Sequence, residues 1–289
     1  MQEETLKELI QKASTLVEAL PYIKEFYNQS VVIKYGGAAM EDEKLREMVL
    51  TDIALMKYVG IKPVIVHGGG KHITGLATRL GKESVFLDGY RVTDEEMMDL
   101  TEMVLGGMIS KGIVANLNLH GIRAVGITGR DAGLMKARSK GEQYGFVGEI
   151  DQVDARLIRD LEENGYVPVI SPIAMGEDGK AYNVNADIAA SEIARSIKAK
   201  KLVLLTDVDG IYRDINDPDS LYSSLTVGEA KRLIDDKIIV SGMLPKIRAC
   251  MEALEEGVEK IHIINGKNSH SLLLEIFTKE GVGTQIVAG

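Results

Sequence analysis

Val31-Val32-Ile33-Lys34-Tyr35-Gly36-Gly37 and Val64-Ile65-Val66-His67-Gly68-Gly69-Gly70 decide the fold. Each is a short apolar run that ends in glycines. An unbroken apolar run of this length fits a parallel strand buried on both faces. The glycines then make a turn almost bare of side chains. Such a turn leaves backbone N–H groups uncovered, and the helix that follows aims its positive end at the same place. That arrangement suits phosphate oxygens. Lys34, at the end of the first run, and Lys246, far downstream, would add full positive charges. Together they predict phosphoryl transfer.

Outward from these two runs, the chain alternates strand, turn and helix. Strands are expected at 31–35, 63–67, 124–128, 166–170, 202–205, 260–264 and 284–287. Helices are expected at 42–59, 71–80, 109–119, 155–163, 188–197, 246–256 and 269–277, with others starting near Asp94 and Thr226. Residues 134–137 and 146–150 are short and alternating, as in a β-hairpin. The alternation predicts an α/β fold with a mostly parallel sheet and helices on both faces, its ligands at the carboxyl ends of the strands. Ahead of it, Leu6, Leu9, Ile10, Ala13, Leu16, Val17 and Leu20 recur at steps of three and four. This is the stripe of an amphipathic helix, expected to end near Pro21. The stretch Gly176-Glu177-Asp178-Gly179 is the best candidate for a boundary between lobes. The expected division is therefore 1–28 for the leading helix, 29–178 for a first lobe and 179–289 for a second.

At 289 residues the chain holds one large α/β domain or two lobes. Its net charge of −9 argues against nucleic acid and anionic membranes as partners. No apolar run approaches the ~20 residues of a membrane helix. Glu3, Glu4 and Glu8 near the N-terminus do not fit a signal peptide. A single cysteine, Cys250, rules out an intrachain disulfide and is expected as a small buried helix residue. A cytoplasmic location is the expectation.

Three familiar motifs fail. In a P-loop, Gly70-Lys71 would need Ser or Thr next and a glycine at 65; the chain has His72 and Ile65. A dinucleotide fingerprint from Gly68 would need glycine at 73, which is Ile73. In Asp207-Val208-Asp209-Gly210 the glycine comes too early for a calcium loop. The histidines show no zinc spacing, so no protein-held metal is expected.

Each remaining feature has a plain reading and a chemical one. Gly68-Gly69-Gly70 is a tight strand–helix turn, or a turn that something approaches closely. Lys34 is a solvated charge at a strand end, or catalytic. Lys246 sits at a helix start, where a cation is unfavourable unless an anion is near. Asn183-Val184-Asn185-Ala186-Asp187 offers three polar residues at alternate positions, where one N-cap needs only one. Arg91, in Gly89-Tyr90-Arg91-Val92-Thr93, is a surface arginine or a carboxylate clamp.

In this order, the Lys34, Gly68-Gly69-Gly70, Arg91, Asn183–Asp187, Thr206–Gly210 and Gly242-Met243-Leu244-Pro245-Lys246 segments resemble the amino-acid kinase family, and within it the members that phosphorylate N-acetyl-L-glutamate. The resemblance spans nearly the whole chain. It implies an open αβα sandwich with an N-terminal acceptor lobe and a C-terminal ATP lobe. It also implies transfer of the γ-phosphoryl of ATP, with Mg²⁺, to the side-chain carboxylate of N-acetyl-L-glutamate on the route to arginine. Lys34 would touch the transferring group, Lys246 the nucleotide phosphates, and Asp187 would orient both. Gly37 and Gly69 would donate backbone N–H groups, while Gly68 and Gly70 shape the loop. Arg91 and Asn183 would hold the acceptor, and Thr206, Asp207, Asp209 and Gly210 would line the nucleotide pocket. Lys71 departs from a common proline, and Ser241 from a common glycine.

The leading stripe resembles the extra helix of arginine-inhibited, hexameric members, built as trimers of dimers. His270, Glu275 and Gly281 resemble their arginine site. The resemblance also admits a PII-type signalling protein as partner. The rival readings are a kinase of another carboxylate or of carbamate, and a catalytically silent arginine sensor.

Overall fold

The computed structural model describes residues 3–289 except 215, 240–242 and 280. In chain order the elements are α1 (Glu3–Glu18), α2 (Leu20–Phe26), β1 (Ser30–Tyr35), α3 (Ala38–Glu41), α4 (Glu43–Tyr58), β2 (Lys62–His67), α5 (Gly70–Arg79), β3 (Phe86–Leu87), β4 (Tyr90–Arg91) and α6 (Glu95–Glu102). A π-helical segment, Met103–Ile109, runs on into α7 (Ser110–Leu119). Then come β5 (Ala124–Thr128), β6 (Met135–Ser139), β7 (Gly148–Val153), α8 (Arg156–Glu163), β8 (Val167–Ser171), β9 (Ile173–Gly176) and β10 (Ala181–Asn183). The rest is α9 (Ala186–Ile197), β11 (Lys201–Thr206), β12 (Ser224–Thr226), α10 (Val227–Asp235), α11 (Leu244–Glu255), β13 (Ile261–Asn265), α12 (Ser271–Phe277) and β14 (Thr284–Val287).

An eight-stranded sheet runs β12-β14-β13-β11-β1-β2-β8-β5, parallel except where β14 meets β13. This is the α/β architecture expected, with the leading helix in front. Both neighbours of β1 are parallel strands, so its faces are each covered by helices. Val31, Ile33 and Tyr35 enter one core, with α4, α7 and α12; Val32 enters the other, with α9, α10 and α11. That alternation is the period of two of a strand. The cores require both runs to be apolar throughout. Cys250 is buried in the second core, as expected of a small helix residue.

Register places the site. Tyr35 pairs with His67 and Lys34 with Val66, so the two glycine turns leave the sheet side by side. The Gly68 N–H donates to Tyr35 O at 2.8 Å and ties one turn to the other. Thr206 pairs with Asn265 in the same manner, which aligns the loops after β11 and β13.

Four details differ from the sequence reading. Pro21 does not end the leading helix; it opens α2, where a missing N–H is harmless. The helices expected from Asp94 and at 109–119 are one continuous rod, joined by the π-helical segment. The β3–β4 hairpin carries Arg91 and is too short to leave a periodic signal. Gly176–Gly179 is the turn of an antiparallel hairpin between β9 and β10, inside a second sheet ordered β10-β9-β6-β7.

Ile33 is fully buried at the centre of this arrangement. Ile33→Ala is expected to lower unfolding stability by about 2–5 kcal/mol, through lost transfer energy and a cavity. Urea unfolding checks this, and the slope against urea should stay unchanged.

Candidate active site

A cavity of about 270 Å³ opens where the glycine turns leave the sheet. Its lining includes Lys34, Gly36, Gly37, Gly68, Gly69, Gly70, Arg91, Asn183 and Asp187. Residues from four separated stretches are thus brought together.

Lys34 is the penultimate residue of β1, with its side chain buried, and Asp187 lies in the first turn of α9. Lys34 Nζ is 3.1 Å from Asp187 Oδ1, and Lys246 Nζ is 3.5 Å from Oδ2. Lys246, in the first turn of α11, reaches the cavity lining through Asp187. The unfavourable cation at a helix start therefore has its anion. Burial pushes the Asp187 pKa up, but the two ammonium groups outweigh it and hold the carboxyl below its ordinary range. The start of α9 adds its positive end. Of the three polar residues at alternate positions, Asn185 is the N-cap. Its Oδ1 accepts from the N–H of Asp187 at 2.8 Å and of Ile188 at 3.3 Å. Asp187 and Asn183 are left to face the cavity. Asn183 Nδ2 also donates to Thr93 Oγ1 at 3.3 Å.

The glycines are required by close approach. Gly37 has φ 68°, and a Cβ there would lie 2.5 Å from Asp207 Oδ1. At Gly69 a Cβ would collide with Leu105 and Ile109, both from the π-helical segment. No acceptor among the described residues takes the Gly37 or Gly69 N–H. Both N–H groups remain available to an anion in the cavity.

Arg91 is buried. Nη2 donates to Gly70 O at 2.8 Å and Thr74 Oγ1 at 2.9 Å, Nη1 donates to Ser84 Oγ, and the guanidinium lies over the Phe86 ring. Among the described residues no carboxylate pairs with it, and burial lowers its pKa from the ordinary value. A buried cation held only by neutral oxygens favours an anionic ligand beside it.

The expected nucleotide residues form one loop after β11. Asp207 Oδ1 accepts from the Ala38 N–H at 2.7 Å, which locks this loop to the first glycine turn. Thr206 is bonded within the loop to Val208. Asp209 accepts from Asn265, Asn268 and Tyr212, and Gly210 packs against Thr284. Asp209 and Gly210 thus serve the shape of the loop. Lys267, from the loop after β13, donates to Asp207 O at 3.4 Å and was not marked by the sequence.

A second cavity of about 380 Å³ lies against α2. Glu275 and Gly281 line it, together with Tyr22, Phe26, Lys201 and His262. Glu275 is buried and bonded to Lys201 at 2.8 Å and to His262 at 2.9 Å. Burial pushes its pKa up, but these partners outweigh that and keep it below the ordinary range. His270 is not at this cavity. Its Nδ1 pairs with buried Asp52 Oδ1 of α4 at 2.6 Å, while His262 holds the place beside Glu275. His262 belongs to β13, whereas His270 immediately precedes α12 and turns to α4. Lys71 extends across the surface to Glu41 Oε2 at 2.7 Å. Ser241 and Gly242 lie outside the described residues.

Paired parallel strands ending in bare turns, with two lysines on one carboxylate, define a phosphoryl-handling α/β protein. The sequence profile of the amino acid kinase family matches residues 29–265, and the chain belongs to that family. It is 50% identical over 290 residues to the acetylglutamate kinase of Heliobacterium modesticaldum, covering 96% of this chain and 98% of that one. The acetylglutamate kinase of Syntrophomonas wolfei is 52% identical over 280 residues, covering 96% and 98%. The N-acetylglutamate synthase of Neisseria gonorrhoeae, complexed with coenzyme A and N-acetyl-glutamate, superposes with a TM-score of 0.83 at 30% identity. The match covers 95% of this chain and 63% of that one, so this chain spans just under two thirds of the synthase. Among the described residues no helix is long and apolar enough to cross a membrane.

Because its folded pKa is lowered, ionised Asp187 contributes stability above the ordinary carboxylate range. That contribution is lost as pH falls through the lowered value. Asp187→Asn is therefore expected to be less stable than the parent at pH 7, with the gap narrowing below about pH 4. Urea midpoints measured from pH 7 to pH 3 for both proteins test this.

Proposed function

We propose that this protein transfers the γ-phosphoryl group of ATP to the side-chain carboxylate of N-acetyl-L-glutamate. The observation that carries the reading is the pairing of two lysines on Asp187 at one part of a cavity that also holds buried Arg91, with which no carboxylate of the described residues pairs. The near full-length likeness to acetylglutamate kinases supports the choice of acceptor. It also supports a place in arginine biosynthesis.

The acceptor carboxylate, with an ordinary pKa of about 4.3, is already ionised at neutral pH. No general base is needed. Its oxygen attacks phosphorus, the bond from phosphorus to the β-phosphate oxygen breaks, and ADP leaves. The obstacle is repulsion between two anions, and Lys34 with the Gly37 and Gly69 N–H groups would offset it. Lys246 would neutralise the nucleotide phosphates. Mg²⁺ would arrive on those phosphates; among the described residues no cluster of three His, Cys, Asp or Glu side chains is set to hold a cation. Arg91 and Asn183 would grip the rest of the acceptor. Gly68 and Gly70 shape this loop, and Thr206, Asp207, Asp209 and Gly210 frame the nucleotide. The acceptor and nucleotide halves would meet near Asn185 rather than at 178, since Asn183 still lines the acceptor cavity.

The second reading is feedback inhibition by L-arginine at the second cavity, where Glu275 would meet the guanidinium and Gly281 and α2 would close the wall. The buried carboxylate in a cavity walled by α2 favours it. A structure of the Neisseria synthase was also obtained as a complex with coenzyme A and L-arginine. Leu6, Leu9, Ile10, Leu16 and Val17 of α1 are exposed, which fits pairing with a second copy in a hexamer.

ADP release over N-acetylglutamate, glutamate, aspartate and carbamate tests the main reading, with N-acetylglutamate expected to lead. Lys34→Ala is expected to lower kcat about 10²–10³-fold with little change in acceptor affinity. Arg91→Gln should instead raise the acceptor KM roughly 10–100-fold, as loss of a charged hydrogen bond would. Highest turnover with carbamate would refute the acceptor.

Added L-arginine should inhibit the intact chain. Deleting residues 1–25 should abolish inhibition and reduce the assembly's mass by light scattering. No inhibition of the intact chain would end the arginine reading.

A further inference from the structure

The second glycine turn is held by a buried imidazole bonded to the turn's own backbone. His67 ends β2 and is fully buried. Its Nδ1 lies 2.9 Å from Gly68 O, and its Nε2 lies 2.9 Å from Ser171 Oγ at the end of β8. Burial drives the ring's pKa down to about 4, so at neutral pH it carries one proton. A carbonyl oxygen only accepts, so that proton is on Nδ1. Nε2 then presents a lone pair, and the Ser171 hydroxyl donates to it. Leu105 O lies 3.2 Å from the same hydroxyl but already receives the Ser110 N–H. Turning the hydroxyl to His67 therefore strands no acceptor.

The Gly68 carbonyl and the Gly69 N–H belong to one planar peptide unit. In a trans peptide they point in opposite directions, and no cis peptide occurs among the described residues. A carbonyl fixed towards His67 fixes the Gly69 N–H away from it, on the side where Gly69 lines the cavity. A peptide between two glycines can rotate with little steric cost, so the glycines alone do not choose its direction. The choice must come from a neighbour. Leu105 and Ile109 fill the space beside Gly69 and limit its movement, but neither offers a group to bond this carbonyl.

We infer that His67 is a positioning residue for phosphoryl transfer: with Ser171 bonded to Nε2 and holding the ring in place, its Nδ1–H orients the Gly68–Gly69 peptide so that the Gly69 N–H faces the transferring group. The inference rests on the phosphoryl-transfer reading above.

Three variants and one spectrum test it. The side-chain amide of His67→Asn can supply an N–H near the Nδ1 position, whereas that of His67→Gln reaches towards Nε2. Ser171→Ala removes the hydroxyl bonded to Nε2 and loosens the ring. His67→Gln is expected to lower kcat by about 10²-fold, as loss of one anion-binding donor would, with the acceptor KM unchanged. His67→Asn should recover most of that loss, and Ser171→Ala should fall between the parent and His67→Gln. Nitrogen NMR of the imidazole should show the Nδ1–H form in the parent and still in Ser171→Ala, because the Gly68 carbonyl remains. Because Ser171→Ala is a small change and the parent spectrum needs no variant, a misfolded His67→Gln leaves the test intact. An Nε2–H tautomer in the parent, or an unchanged kcat in folded His67→Gln, overturns the inference while leaving the kinase reading in place. A parent that releases no ADP with any acceptor overturns both.

Discussion

Two ammonium groups share one buried carboxylate, and the site is organised around that imbalance. A single lysine paired with a single aspartate would present a neutral pair to an incoming phosphate. Lys34 and Lys246 on Asp187 leave one positive charge uncompensated beside the cavity. Asp187 also fixes where that charge sits, because it is held at the start of α9 by an N-cap that is a different residue. Burying the carboxylate alone would be costly; the two cations and the helix end offset the cost. The three groups come from β1, α9 and α11, so the full set exists only once the second core, which these elements share, has formed.

The backbone contributes the rest of the anion site, and it does so through register. Because Tyr35 stands opposite His67, the bare turns after β1 and β2 are adjacent rather than offset along the sheet. Small residues let the neighbours approach: Asp207 from one side at Gly37, Leu105 and Ile109 from the other at Gly69. The π-helical segment supplies both of these apolar side chains. Its extra residue per turn shifts the packing face of the rod that begins at α6, and π segments are frequent where a helix serves a site.

How much of this could be read from residues alone differs by feature. The strands β1 and β2 were legible because burial on both faces demands unbroken apolar runs. Lys34 was legible because it closes an apolar run just before glycines, and Lys246 because a cation at a proline-bearing helix start calls for an anion. Arg91 was named, but its hairpin of two-residue strands leaves no period to detect. The π-helical segment was invisible, since apolar spacing cannot distinguish it from two ordinary helices. His67 looked like the last residue of a strand; its bond to the next carbonyl depends on Ser171, which lies far away in sequence. For the same reason His270 was named and His262 was missed. Both lie near the end of the chain, and only the packing of α12 against β13 shows which one faces Glu275.

The charge pattern of the first cavity bears on the proposed acceptor more closely than its size does. Arg91 and the Lys34–Asp187 group line one cavity of about 270 Å³ and come from different elements. A dicarboxylate can satisfy both, its α-carboxylate at the guanidinium and its side chain at the lysine. Free glutamate would bring an ammonium group as well. Among the described lining residues the only acid is Asp187, already shared by two lysines, so that ammonium would meet no free carboxylate. It would also add a third cation to a region with excess positive charge. An acetylated nitrogen carries no charge and avoids both penalties. The preference for N-acetylglutamate over glutamate would therefore follow from the absence of a spare carboxylate in the cavity, and needs no dedicated pocket for the acetyl group.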